Sequence, residues 1–177
     1  MKEAIKKNGI NFGIIIGVVS ILISTLLYII DLELMVSIWV GIIIFLVSLG
    51  IGIFAVAKSK KELGGFISFK EAFTVFFISM AISAAISNLF MYGLFNFVDP
   101  DAKAELSELV IKKTVTMMQD MGAPSDSIKE TAKQLKETDN FSPLSLLKSY
   151  VGGLVFHIII GLIVAAAMKK NKPEFEN

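Results

Sequence analysis

Histidine occurs once in the chain, at position 157, inside an uncharged run from Ser149 to Met168. An ionisable side chain in such a run is a candidate for proton transfer or ligand binding, because apolar surroundings make its charge costly. The polar groups that could assist it are amides and hydroxyls: Ser83, Asn88, Tyr92 and Asn96 fall in another uncharged run. Asn88, Asn96 and His157 together could line a small hydrated cleft. The simpler reading makes His157 a neutral imidazole, hydrogen-bonded to a serine or backbone carbonyl of a neighbouring helix. One histidine with no carboxylate inside any apolar run makes a poor metal site and a poor proton relay.

Other chemistry is absent at the level of motif. The chain has no cysteine, so thiolate catalysis and iron–sulfur ligation are excluded. It carries no HExxH, Walker or GxSxG pattern. Asp99, Asp101 and Glu105 could attract a divalent ion, but capping and dipole stabilisation at a helix start explain them more simply. No catalytic, cofactor-binding or metal-ligating set is expected, and the chain reads as a non-enzyme.

The elements that carry these groups are set by composition. Of 177 residues, 54% are hydrophobic, and mean hydropathy is +0.71, well above an ordinary soluble domain. Uncharged runs cover residues 10–30, 34–57, 72–98 and 149–168. Each reaches the roughly 20 residues that cross a bilayer as a helix. The expected fold is all-α: one polytopic membrane domain over residues 1–177. Its spans are placed at about 10–30, 34–57, 69–98 and 143–168, with a short extracytoplasmic helical segment at about 99–141. The first run is too long for a signal-peptide core and lacks a small-residue cleavage site, so it reads as a retained span.

All 17 basic residues are lysine, against 16 acids, for a formal charge of +1. That balance predicts no nucleic-acid partner. Lysines crowd the segments before the first span, between the second and third, and after the fourth; the turn after the first span holds only Asp31 and Glu33. By the positive-inside rule both termini and the middle loop are cytoplasmic.

Local chemistry marks the boundaries. Ser68-Phe69-Lys70-Glu71 fits a capping box for the third span, with Gly64 and Gly65 releasing the chain before it. Asp99-Pro100 starts an outer helix that ends at Gly122, and Ser142-Pro143 caps the last span. Ser127 and Glu130 suggest a second capping box opening a short helix. Leu106, Leu109, Val110, Met117 and Met121 give the outer helix an apolar side, expected to pack on the protein's own spans.

Two small-residue stripes are the best candidates for helix contacts. Gly9, Gly13 and Gly17 recur every four residues in the first helix; Ser79, Ser83 and Ser87 do so in the third. Such faces let backbones approach closely, and close packing drives association in lipid. The endings GIFAVAKSKK and GLIVAAAMKK hint at a parallel repeat, though membrane composition often produces such likeness.

The block ELGGFISFKEAF, then an uncharged span ending NFVDPD, a Lys- and Glu-rich segment, and a span ending AAAMKKNKPEF resemble the bacterial membrane proteins grouped as DUF4199, a domain of unknown function. The resemblance covers nearly the whole chain. It implies a four-span inner-membrane protein and carries no assigned activity or site residues. The leading expectation is a small scaffold or partner-binding subunit in the bacterial cytoplasmic membrane. Its partners would be the lipid bilayer and either further copies of itself or another membrane protein. The alternative is a small transporter or permeability factor using the cleft near Asn88, Asn96 and His157.

Overall fold

A computed structural model describes residues 2–172 and is helical in almost every element. In chain order the helices are α1 (Lys2–Ile30), α2 (Leu32–Met35), α3 (Ile38–Glu62), α4 (Phe69–Gly93), α5 (Pro100–Asp120), α6 (Ser125–Glu137) and α7 (Pro143–Met168). A single π-helical turn, Leu94–Val98, prolongs α4. Four of these are long and apolar enough to cross a membrane: Glu3–Ile30, Ile38–Glu62, Phe69–Val98 and Pro143–Met168.

Several boundaries follow from caps. Ser68 Oγ accepts from the Glu71 amide at 3.3 Å while Glu71 Oε2 accepts from the Ser68 amide at 2.9 Å, which completes the expected capping box. Ahead of it, Gly64 and Gly65 adopt φ of +80° and +87°, a region favouring glycine. That turn lets the Gly65 amide close on the Lys60 carbonyl at 2.9 Å and satisfy the end of α3. Asp99 caps α5 with Pro100 at its first position, Gly122 ends it with φ +73°, and Ser142 caps α7.

Three expected boundaries are corrected. Helix α1 begins at Lys2 instead of residue 10, because lysines are good helix formers and prolong the helix beyond the apolar run. The second span begins at Ile38 instead of residue 34. Asp31 is extended, and its carboxylate accepts from the Glu33 amide, so the chain first makes the separate turn α2. The box at Ser127 and Glu130 is not formed: α6 starts at Ser125, with the Ile128 amide bonded to the Pro124 carbonyl at 3.1 Å. Ser127 therefore lies inside the first turn.

Helix α4 is the hub. It packs against α1, α3 and α7. Buried side chains in the spans gather toward the end that holds the α3–α4 loop: Ile5, Phe12 and Ile16 of α1, Ala55 and Val56 of α3, Val75, Phe76 and Met80 of α4, Val164 and Ala165 of α7. There the loop is also tied to the chain beyond α7, since Ile67 and Lys170 exchange backbone hydrogen bonds of 2.9 and 2.8 Å. A second cluster forms at the opposite end. Leu94 and Phe95 of the π turn bury with Ala102, Leu106 and Phe141, against Tyr28, Leu32 and Met35. This cluster seats the α5–α6 hairpin on the bundle. Leu106 is 3% exposed, whereas Met117 and Met121 are 42% and 70% exposed. Only the first part of α5 is covered.

Candidate functional site

The glycine stripe of α1 is spent on α4. A Cβ at Gly9, Gly13 or Gly17 would lie 2.9, 2.7 or 2.9 Å from Ile78, Ile82 or Ile86, respectively. Three isoleucines spaced every four residues therefore act as knobs on a bare glycine track, and the two helices run parallel. The serine stripe lies one position away on α4. Ser79 is fully buried and donates to the Gly9 carbonyl at 3.1 Å and to the Val75 carbonyl at 2.9 Å. Ser83 is buried and donates to the Met80 carbonyl at 3.1 Å; Ser87 is half-buried. The isoleucine knobs are not among the expected contacts, since spacing alone does not pick them out from the many other isoleucines of the chain.

Buried polar groups also link α1 to α3. Asn8, 6% exposed, donates from Nδ2 to Ser59 Oγ at 3.0 Å and to Glu62 Oε2 at 2.6 Å. Lys60 Nζ donates to the Met168 carbonyl at 2.9 Å, closing the last turn of α7. These groups sit at helix ends, where lysine and amide side chains can still reach carbonyls. Asn8 gave no sequence signal of its own.

The three candidate polar residues occupy different places. Asn88 lines a groove between α4 and α7 of about 470 Å³, with Ala85, Leu89 and Tyr92 on one side and Leu146, Leu147 and Tyr150 on the other. Tyr150 closes its deep end by donating to the Ala81 carbonyl at 3.3 Å. Asn96 lies in the π turn and joins the α5–α6 hairpin to the bundle. Its Nδ2 donates to the Tyr92 and Phe141 carbonyls at 3.1 and 2.9 Å, and its Oδ1 accepts from Lys103 Nζ at 2.9 Å. His157 sits half-buried on α7 beside Phe156, two turns beyond Tyr150 and outside the groove lining. Its Nδ1 is buried near the Gly153 carbonyl one turn back, without a well-aligned hydrogen bond among the described residues. The structure thus brings Asn88 to a groove and uses Asn96 as a strut.

Electrostatics concentrate on the hairpin. Tyr28 donates its hydroxyl to Asp99 Oδ2 at 2.5 Å, and that bond, with the Ala102 amide, holds the Asp99 carboxyl below the usual carboxylate range. Lys103 pairs with Asp139 at 2.6 Å and lowers its pKa; Lys113 pairs with Glu33 at 2.9 Å and does the same there. Asp99 thus serves capping and docking. Among the described residues no group of three His, Cys, Asp or Glu is placed to hold a metal ion.

Four apolar helices, three of them packed about the fourth, α4, with a helical connector between α4 and α7, define a polytopic helical membrane protein. The chain belongs to the family described as "Protein of unknown function (DUF4199)", whose model matches residues 11–170. Comparison with curated proteins and with solved structures gave no match.

Proposed function

We propose that the protein is a non-enzymatic subunit of the bacterial cytoplasmic membrane that acts by binding another membrane protein, with both termini in the cytoplasm. The observation that carries the reading is the α4–α7 groove, an apolar trough with the Asn88 amide in its lining. An amide facing hydrocarbon is costly unless paired, and interhelical hydrogen bonds are a recurrent way to pair it. The glycine ladder is already filled by α4, so self-association through it would require the bundle to open. A groove between two helices is also not self-complementary, which favours a different chain over a second copy. The orientation rests on the lysines, which crowd the end holding the α3–α4 loop and the chain after α7.

Single cysteines at Ala85 and Leu89 test this in native membranes. A defined neighbour crosslinked at both positions, and lost on Asn88→Leu, is expected; a strictly monomeric, neighbourless protein would refute it. A transporter or permeability role is the second reading, favoured by His157 Nδ1, buried inside a span without a well-aligned hydrogen bond among the described residues. A change in solute uptake or efflux on His157→Leu, with the fold intact, would support that role instead.

A further inference from the structure

One face of α3 has the shape of a lipid-binding strip. Ile43, Val47, Gly50, Phe54, Lys58 and Lys61 follow one another at three- and four-residue intervals, so they share a side of the helix. Ile43, Val47 and Phe54 are 60%, 39% and 61% exposed, and a Cβ on Gly50 would meet nothing within 4 Å. The strip is apolar for its first four members and cationic for its last two. From Phe54 to Ile43 it runs about 16 Å at 1.5 Å per residue, close to the hydrocarbon depth of one leaflet.

The cationic end is built, not merely charged. Phe54, Ala57, Lys58, Lys61 and Glu62 line an open depression of about 620 Å³. Lys58 Nζ lies 5.4 Å from the centroid of the Phe12 ring, and Phe12 meets Phe54 edge-on at 5.8 Å. That contact fixes one ammonium at the α1–α3 seam. Among the described residues, Lys58 and Lys61 belong to none of the ion pairs formed. The acid in the lining, Glu62, accepts from Asn8 Nδ2 at 2.6 Å and keeps its charge, so two lysines less one glutamate leave the depression with a formal charge of +1. Two unpaired ammonium groups therefore face a depression that opens onto an apolar track.

We propose that this seam binds an anionic phospholipid, with its phosphate between Lys58 and Lys61 and one acyl chain along Phe54, Gly50, Val47 and Ile43. Charge complementarity selects the negative headgroup, since a zwitterionic lipid would bring its own cation toward the lysines. The adjoining track selects a lipid over free phosphate, which has no chain to lay there. The inference does not depend on which leaflet the site faces.

The test uses the full chain in mild detergent, with lipid binding followed by native mass spectrometry. Phosphatidylglycerol and phosphatidylcholine of identical chains are compared, with inorganic phosphate as competitor. Phosphatidylglycerol is expected to bind more tightly, with affinity falling about fivefold for each lysine neutralised in K58Q and K61Q. Lys61 makes no ring contact, so K61Q alone remains informative should K58Q loosen the seam. Gly50→Phe, which blocks the track, should weaken phosphatidylglycerol as well, and millimolar phosphate should not displace it. Undiminished phosphatidylglycerol binding in K61Q overturns the proposal. So does an equal loss in the hairpin control K129Q/K133Q, which would mean diffuse attraction. Displacement by phosphate would mean a free-anion site and would also overturn it.

Discussion

Gly13 of α1 and Ile82 of α4 are in such close register that a Cβ added to Gly13 would lie 2.7 Å from Ile82 Cβ and 3.0 Å from the Ser79 carbonyl oxygen. A branched side chain and a backbone atom both block the site, so neither can yield by a simple rotamer change. Gly13→Ala is expected to destabilise the bundle by about 1–3 kcal/mol, and Gly13→Leu by more. Gly152→Ala, at an open helical position, should stay within about 0.5 kcal/mol of the parent. Unfolding of the detergent-solubilised protein measures both, and equal stability of the two alanine variants would remove the glycine track from the packing.

That contact also shows what the sequence could and could not disclose. Signals that act within a few residues were legible: Ser68 with Glu71, the paired glycines 64 and 65, Pro100 after Asp99, and Pro143 after Ser142. Their partners are local, so type and spacing suffice. The glycine track was equally visible, but its partner was not. Ile82 is one of many isoleucines, and only the rotation of α4 selects it over Ser83 as the knob. The same limit hid the strut role of Asn96, whose partner Phe141 belongs to chain that returns after two further helices. It misplaced α6 because the Pro124 carbonyl offers an earlier start than the Ser127 hydroxyl.

Ser68→Ala removes the acceptor for the Glu71 amide and the reciprocal geometry of the box. A loss of about 0.5–2 kcal/mol is expected. The effect should be non-additive with Glu71→Ala, because each change breaks the same paired arrangement. A double-mutant cycle on thermal unfolding checks it. Strict additivity would mean that the cap and the carboxylate act separately.

Asn96→Ala should free the hairpin at its root. The amide bonds two carbonyls and receives Lys103, so its loss leaves the Phe141 carbonyl and the lysine without that partner. The expected cost is about 1–3 kcal/mol of local stability. Faster hydrogen exchange across residues 100–106, with little change in α1, would show that the loss is confined to the hairpin. Uniform acceleration across all spans would contradict the strut role.

Acid should loosen the same hairpin. The folded-state pKa of Asp99 is depressed, chiefly by the Tyr28 hydroxyl, and those of Asp139 and Glu33 are depressed by Lys103 and Lys113. A depressed carboxylate contributes stability that is fully present above its unfolded value, about 3.9 for Asp. It is lost as pH falls through the lower folded value. Docking should therefore be constant from pH 7 to 5 and weaken below about 4. Asp99→Asn keeps a competent cap but cannot titrate, so its exchange profile over residues 100–106 should be flatter in acid than the parent's. Superimposable profiles would show that Asp99 has no part in the acid response.

Orientation is open to a direct reading because the chain contains no cysteine. Asn171 and Asp120 are both exposed, one beyond α7 and the other at the tip of the hairpin. One span, α7, separates the two positions, so a thiol placed at each reports one side of the membrane. In intact cells Asp120→Cys should react with a membrane-impermeant maleimide, and Asn171→Cys should react only after permeabilisation. The physical basis is the lysine crowd around Lys58, Lys60, Lys61, Lys169 and Lys170, which resists translocation, while the mixed charges of the hairpin exert no such bias. The reverse labelling pattern would place the lysine-rich end outside and overturn the proposed cytoplasmic termini. Labelling of both thiols from one side would be stronger still, since it contradicts four crossings.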